Sequence, residues 1–148
     1  MIASDYVISC LATLMFNHAG EDLFQGMTCC GLLIRNRVLA NWENQNWLRL
    51  IEDYDKHSAN PPATPRVLKL GDPIRDDKFR RCLGIATSIY EGREKDIICG
   101  ALRGCKLNEC SPEFAAKIIQ AKKIDPETKE MLPLHPRVSQ VGQWSFFK

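Results

Sequence analysis

No apolar run in this chain approaches the ~18 residues that a membrane-crossing helix needs, so a transmembrane span is excluded. Charge of one sign is scarce as well. The 20 Lys and Arg face 18 Asp and Glu, and a net charge of +2 gives no basis for a nucleic-acid or membrane-surface partner. The signatures of several enzyme classes are missing. No Walker loop, GxGxxG, GxSxG or HExxH occurs, which leaves nucleotide, serine-esterase and metalloprotease chemistry without a motif. The first residues, MIASDYVISCLATLMF, carry no Lys or Arg ahead of the apolar stretch and hold Asp5 within it. They do not read as a secretory signal.

What is present is ordinary globular material. Hydrophobic residues make up 45% and charged residues 26% of 148. That length matches a single domain over 1–148 and supports a core without covalent staples. The cysteines number 7, an odd count in a chain of this size. Cys10, Cys29, Cys30 and Cys82 lie in apolar segments, where a thiol packs as a small hydrophobe, so they read as unpaired. Synthesis in a reducing cytoplasm follows. Cys99, Cys105 and Cys110 lie in a polar stretch with His135 as a possible fourth ligand. Their spacings fit no standard zinc pattern and lack a close CxxC pair. Partly buried thiols or one labile disulfide are the favoured reading, and neither metal nor cofactor is expected.

Apolar periodicity predicts a mainly α-helical class with a small strand element. Val7, Ile8, Leu11, Leu14 and Met15 mark a helix from Asp5 to about His18, ended by Gly20. A second helix, from about Leu23 to Asn41, is apolar nearly all round and so central. Gly26 and Gly31 inside it imply close approach of a neighbouring helix. Trp42 to His57 reads as a shorter helix with Trp47, Leu48, Leu50, Ile51 and Tyr54 inward. Ser58 to Pro73 is a proline-rich loop. Asp76 to Gly92 is a helix with Phe79, Cys82, Leu83, Ala86, Ile89 and Tyr90 as its stripe. Ser111-Pro112-Glu113 starts another helix, and VSQVGQWSFFK is the best strand candidate.

Three segments could carry chemistry. Asn17-His18-Ala19-Gly20-Glu21-Asp22 puts acids at a helix–helix elbow, where a desolvated carboxyl can act as a general acid; a solvated helix end is the plainer reading. Cys99-Gly100-Ala101-Leu102-Arg103-Gly104 could line a groove, although tight turning alone accounts for two glycines. Gly142-Gln143-Trp144-Ser145-Phe146-Phe147 could present aromatic faces to sugar rings or form a core strand.

The order of these segments resembles the SleB-type cell wall hydrolases of bacteria and phages, a lysozyme-like family that cleaves peptidoglycan glycan strands. The family shows a first helix ending in a pattern like A-E-A-R-G-E and a second ending in N-R-V. LATLMFNHAGEDLFQGMTCCGLLIRNRV over Leu11–Val38 has that length without a gap, with Gly26, Gly31, Asn36, Arg37 and Val38 matching. Gly92, Asp96 and Gly100-Ala101 follow in family order, and the closing G-x-H-x-F-Y strand resembles the segment Gly142–Phe147. The resemblance covers about two thirds of the chain, and the proline-rich middle has no counterpart. It implies a lysozyme-like α+β fold and peptidoglycan strands as partner. The implied activity is hydrolysis or lytic transglycosylation without a cofactor.

The chain departs from the family where the chemistry lies. The ungapped match puts His18 at the catalytic glutamate, and a shift of one puts Asn17 there; neither is a carboxylic acid. The expectation is that Glu21 is the proton donor, with Asp22 and His18 beside it in the catalytic set. The alternative is a non-catalytic relative that binds glycan or serves as a structural module in a virion, where other virion proteins become partners. Arg37, Gly100, Ala101, Arg103 and Trp144 stand at or beside matched motif positions and are the expected substrate contacts. The site of action is the cell wall, reached from the cytoplasm after lysis or within a virion.

Overall fold

The computed structural model describes residues 4–19, 24–57 and 77–148, apart from the side chain of Lys78. Four helices form the body: α1 (Ser4–Ala19), α2 (Phe24–Leu39), α3 (Trp47–His57) and α4 (Asp77–Tyr90). The C-terminal part carries β1 (Arg103–Lys106), a short α5 (Pro112–Phe114) that continues as a π-wound turn over Ala115–Ile119, and four further short strands. These are β2 (Lys122–Ile124), β3 (Met131–Pro133), β4 (Arg137–Val141) and β5 (Trp144–Phe147). The class is therefore mainly α with a small strand element, as periodicity predicts. The predicted loop over Ser58–Pro73, the Asp76 helix start and the Gly20 helix end lie outside the described residues.

The second helix is central because it has no polar face to turn outward: every residue from Gly26 to Asn36 is buried. α1, α3 and α4 all pack on it. Gly31 leaves room for side chains of both α1 and α4. A Cβ there would stand 2.6 Å from Ile89 Cδ1 and 2.8 Å from Met15 Sδ. Leu11, Met15, Leu32, Leu33, Leu50, Cys82 and Ile89 fill the space between the helices. The Phe16 and Phe79 rings meet edge to face at 5.5 Å. All of the cysteines are free thiols, with Cys29, Cys30, Cys82 and Cys105 buried.

The predicted C-terminal strand is a hairpin, β4–β5, and β1 adds to its other edge to give the antiparallel order β1-β5-β4. β5 is covered on both faces, which is why Trp144, Ser145, Phe146 and Phe147 are all buried. Alternation sends Trp144 and Phe146 into the helical core and Phe147 toward Cys105, Phe114, Ile118 and Ile119. The Ser111 hydroxyl caps α5 by accepting from the Phe114 N–H, and Pro112 occupies the first turn, as the sequence indicates.

One expected helix is broken. Trp42 to His57 does not run as a single helix, because Asn41, Glu43, Asn44 and Gln45 adopt positive φ of 64°, 48°, 54° and 63°. Asn tolerates that region best among non-glycine residues. The chain turns tightly over Trp42–Gln45 and restarts at Trp47, where Asn46 Oδ1 accepts from the Arg49 N–H. This turn leaves Trp42 half-buried, with one side available to a cleft.

Candidate functional site, an arginine and aromatic cleft

Three consecutive residues at the end of α2 tie the helical body to the segment that precedes β1. Arg35 Nη1 donates to the Glu94 carbonyl at 2.6 Å, and Asn36 Nδ2 to the Ala101 carbonyl at 3.0 Å. Arg37 Nε donates to the Leu102 carbonyl at 2.8 Å. The segment is itself shaped by Asp96, whose carboxylate accepts from the N–H groups of Ile98 and Gly100 at 3.0 and 2.8 Å. Gly104 then lets β1 lie flat on the core, since a Cβ there would come 2.7 Å from the Phe146 ring. Together these contacts fix Arg103 beside Arg37.

Between α2, α3, β1 and residues 112–119 lies a cleft of about 520 Å³, within the usual range for ligand sites. Its walls include the Trp42, Tyr54 and Phe114 rings, with Arg37, Arg103, Lys56 and Lys117 as cations and Asp53 and Glu113 as acids. The Arg37 guanidinium carbon lies 5.0 Å from the Trp42 ring centre and 5.4 Å from that of Tyr54. The Arg103 guanidinium lies 5.3 Å from the same indole. All three are cation–π distances. Burial pulls the Arg37 guanidinium below its ordinary value; Tyr54 and Asp53 oppose that shift, and repulsion from Arg103 adds to it. Burial lowers Arg103 in the same sense.

The expected site residues divide sharply. Arg37 and Arg103 are brought together in the cleft. Ala101 is buried with its carbonyl taken by Asn36, and Gly100 serves the Asp96 turn. Trp144 is buried in β5, its ring 6.3 Å from that of Phe146 and nearly parallel to it. Neither glycine-segment residue nor Trp144 lines the cleft. Glu21 and Asp22 lie outside the described residues.

His18 takes a different place from that of a proton donor to a groove. Its side chain is only 1% exposed, and Nε2 lies 2.9 Å from Asp55 Oδ1. Its ring meets Tyr54 edge to face at 5.3 Å, and His18 itself is not among the residues that line the cleft. Nδ1 is buried with no partner. His18 thus ties α1 to α3 through its contact with Asp55.

A second cleft, of about 500 Å³, lies between α1 and α3 along Tyr6, Cys10, Leu14, Asn17 and Leu48. Its described lining holds no cation but carries two carboxylates, Glu52 and Asp55, the latter in contact with His18. No group of three or more His, Cys, Asp or Glu able to hold a metal ion occurs among the described residues, and Cys99 is exposed while Cys105 is buried in β1. Sequence reasoning missed Trp42, Tyr54 and Phe114 as site residues, reading Trp42 and Phe114 as parts of helices and Tyr54 as the buried side of one. The asparagines around Trp42 carried the signal that a turn, not a helix, presents this indole. Compared with known proteins, the chain matches no family model, no curated protein and no solved structure.

Proposed function

We propose that the chain is a peptidoglycan-binding domain of cell wall hydrolase type, which holds a glycan strand in the arginine and aromatic cleft and does not cut it. The observation that carries this reading is the replacement of an acid by His18 at the position matching the family's catalytic glutamate. That imidazole is buried and held by Asp55, where it cannot reach a glycosidic oxygen. The cleft supports the binding half of the reading. Aromatic walls suit the apolar faces of sugar rings, and fixed donors suit their hydroxyls and acid groups. The free thiols favour synthesis in a reducing compartment, with action at the wall after lysis or in a virion.

The test is cosedimentation with purified sacculi, run beside mass spectrometry of released soluble fragments, which detects reducing and anhydro ends alike. The wild type is expected to pellet with sacculi and release no fragments, and Trp42→Ala to stay in the supernatant. Fragments released by the wild type and lost in Glu21→Gln would overturn the binding reading in favour of a glycan-cleaving enzyme with Glu21 as acid. Failure of the wild type to pellet would reject the glycan ligand altogether.

A further inference from the structure

We infer that Arg37, Trp42 and Arg103 form a subsite for a carboxylate carried by the ligand, so that the cleft selects acidic over neutral saccharides. The saccharide part rests on the glycan-binding reading; the carboxylate part rests on the cleft alone. Two guanidiniums share one indole, and no described carboxylate lies within ion-pair distance of either. A partly buried cation is normally neutralised by an acid, because desolvation without a partner is costly. Here Asp53, whose charge acts on Arg37 from beyond ion-pair distance, is placed 3.9 Å from His57, and Glu113 stands exposed.

Arg37, which lines the cleft, spends Nε on the Leu102 carbonyl, and no described residue accepts from its Nη donors. An anion bridging both forks would replace like-charge repulsion with charge-assisted hydrogen bonds. A planar carboxylate matches such forks. The charge pattern also disfavours a polyphosphate. Four cations and two acids line the cleft, so one negative group is accommodated while a chain of phosphates would meet Asp53 and Glu113. The adjoining Tyr54 and Phe114 rings give the group that bears the carboxylate an apolar seat.

The experiment is calorimetric titration of the full chain with four probes. These are the N-acetylglucosaminyl-N-acetylmuramic acid disaccharide with its lactyl carboxylate free, the methyl ester of that disaccharide, N-acetylalanine and inorganic phosphate. The acid is expected to bind about tenfold or more tightly than the ester, as loss of a charged hydrogen-bond pair would give. N-acetylalanine is expected to bind weakly but measurably. Both preferences should vanish in Arg103→Gln and return in part in Arg103→Lys, with circular dichroism confirming that the variants are folded. Equal binding of acid and ester would overturn the subsite while leaving glycan binding intact. Binding of N-acetylalanine alone would uphold the subsite and remove the glycan. Phosphate binding more tightly than either carboxylate would overturn the assignment of ligand class, and so would no binding of any probe.

Discussion

Gly104 offers a quantitative check on how the sheet is seated against the helical body, and hence on what positions Arg103. An alanine Cβ at this site would lie 2.7 Å from Cδ1 and Cε1 of the Phe146 ring and 3.3 Å from Leu33 Cδ1. Phe146 is fully buried, and an aromatic ring cannot flex away as the end of a long side chain can. Overpacking of this kind costs about 1–3 kcal/mol. Stiffening of the unfolded chain returns about 0.4–1 kcal/mol. Gly104→Ala should therefore destabilise by about 1–2 kcal/mol and lower Tm by roughly 3–6 °C. Gly84→Ala is the matched control. Gly84 is an exposed residue of α4 with nothing within 4 Å of the added carbon, so the same change there should stabilise by about 0.5–1 kcal/mol. Urea unfolding followed by tryptophan fluorescence reads both. Phe146→Leu supplies the cycle: combined with Gly104→Ala, it should cost about 1 kcal/mol less than the sum of the single changes. Strict additivity, or a neutral Gly104→Ala, would refute the packing described here.

Asn36→Ala should cost about 1–3 kcal/mol, since it strips the Ala101 carbonyl, itself fully buried, of its only described donor; chemical denaturation measures this. Burial pushes the Cys30 and Cys29 thiols from 9.0 up to about 12. The unfolded chain then loses these protons first, so stability should be level below pH 9 and fall as the pH rises toward 12. Cys30→Ala should flatten that fall whatever it does to stability at neutral pH. Brief alkylation of the native protein should modify Cys99, which is exposed, well before Cys29, Cys30 or Cys82, and mass spectrometry of the digest reads the order.

The helical half was legible because its patterns are long. The 16 residues of α2, with no polar stripe, admit one placement, the centre, and Ser111-Pro112 announces its own helix start. The strands were legible only where aromatics clustered. β1 reads Arg-Gly-Cys-Lys and carries no alternation, and its place comes from pairing with β5 across the sequence. The β2–β3 pair is exposed and three residues long on each side, too short for any period to register. The cleft divides in the same way. Arg37 stood at a matched motif position and Arg103 where the family pattern departs just after Gly100-Ala101, whereas Trp42 enters the site through backbone turns at Glu43, Asn44 and Gln45 that a helical reading conceals. Gly100, Ala101 and Trp144 hold the frame and were read as contacts because sequence order alone cannot separate a residue that shapes a groove from one that faces it.

The central claim is that the ligand seats on Trp42 between α2, α3 and β1. Two-dimensional NMR of the labelled chain titrated with a soluble peptidoglycan disaccharide tests it most directly. The largest shifts are expected at the Trp42 indole N–H and at Tyr54, Arg103 and Phe114, with Tyr6, Leu14 and Leu48 unmoved. Shifts centred on the α1–α3 cleft, or none at saturating disaccharide, would contradict it.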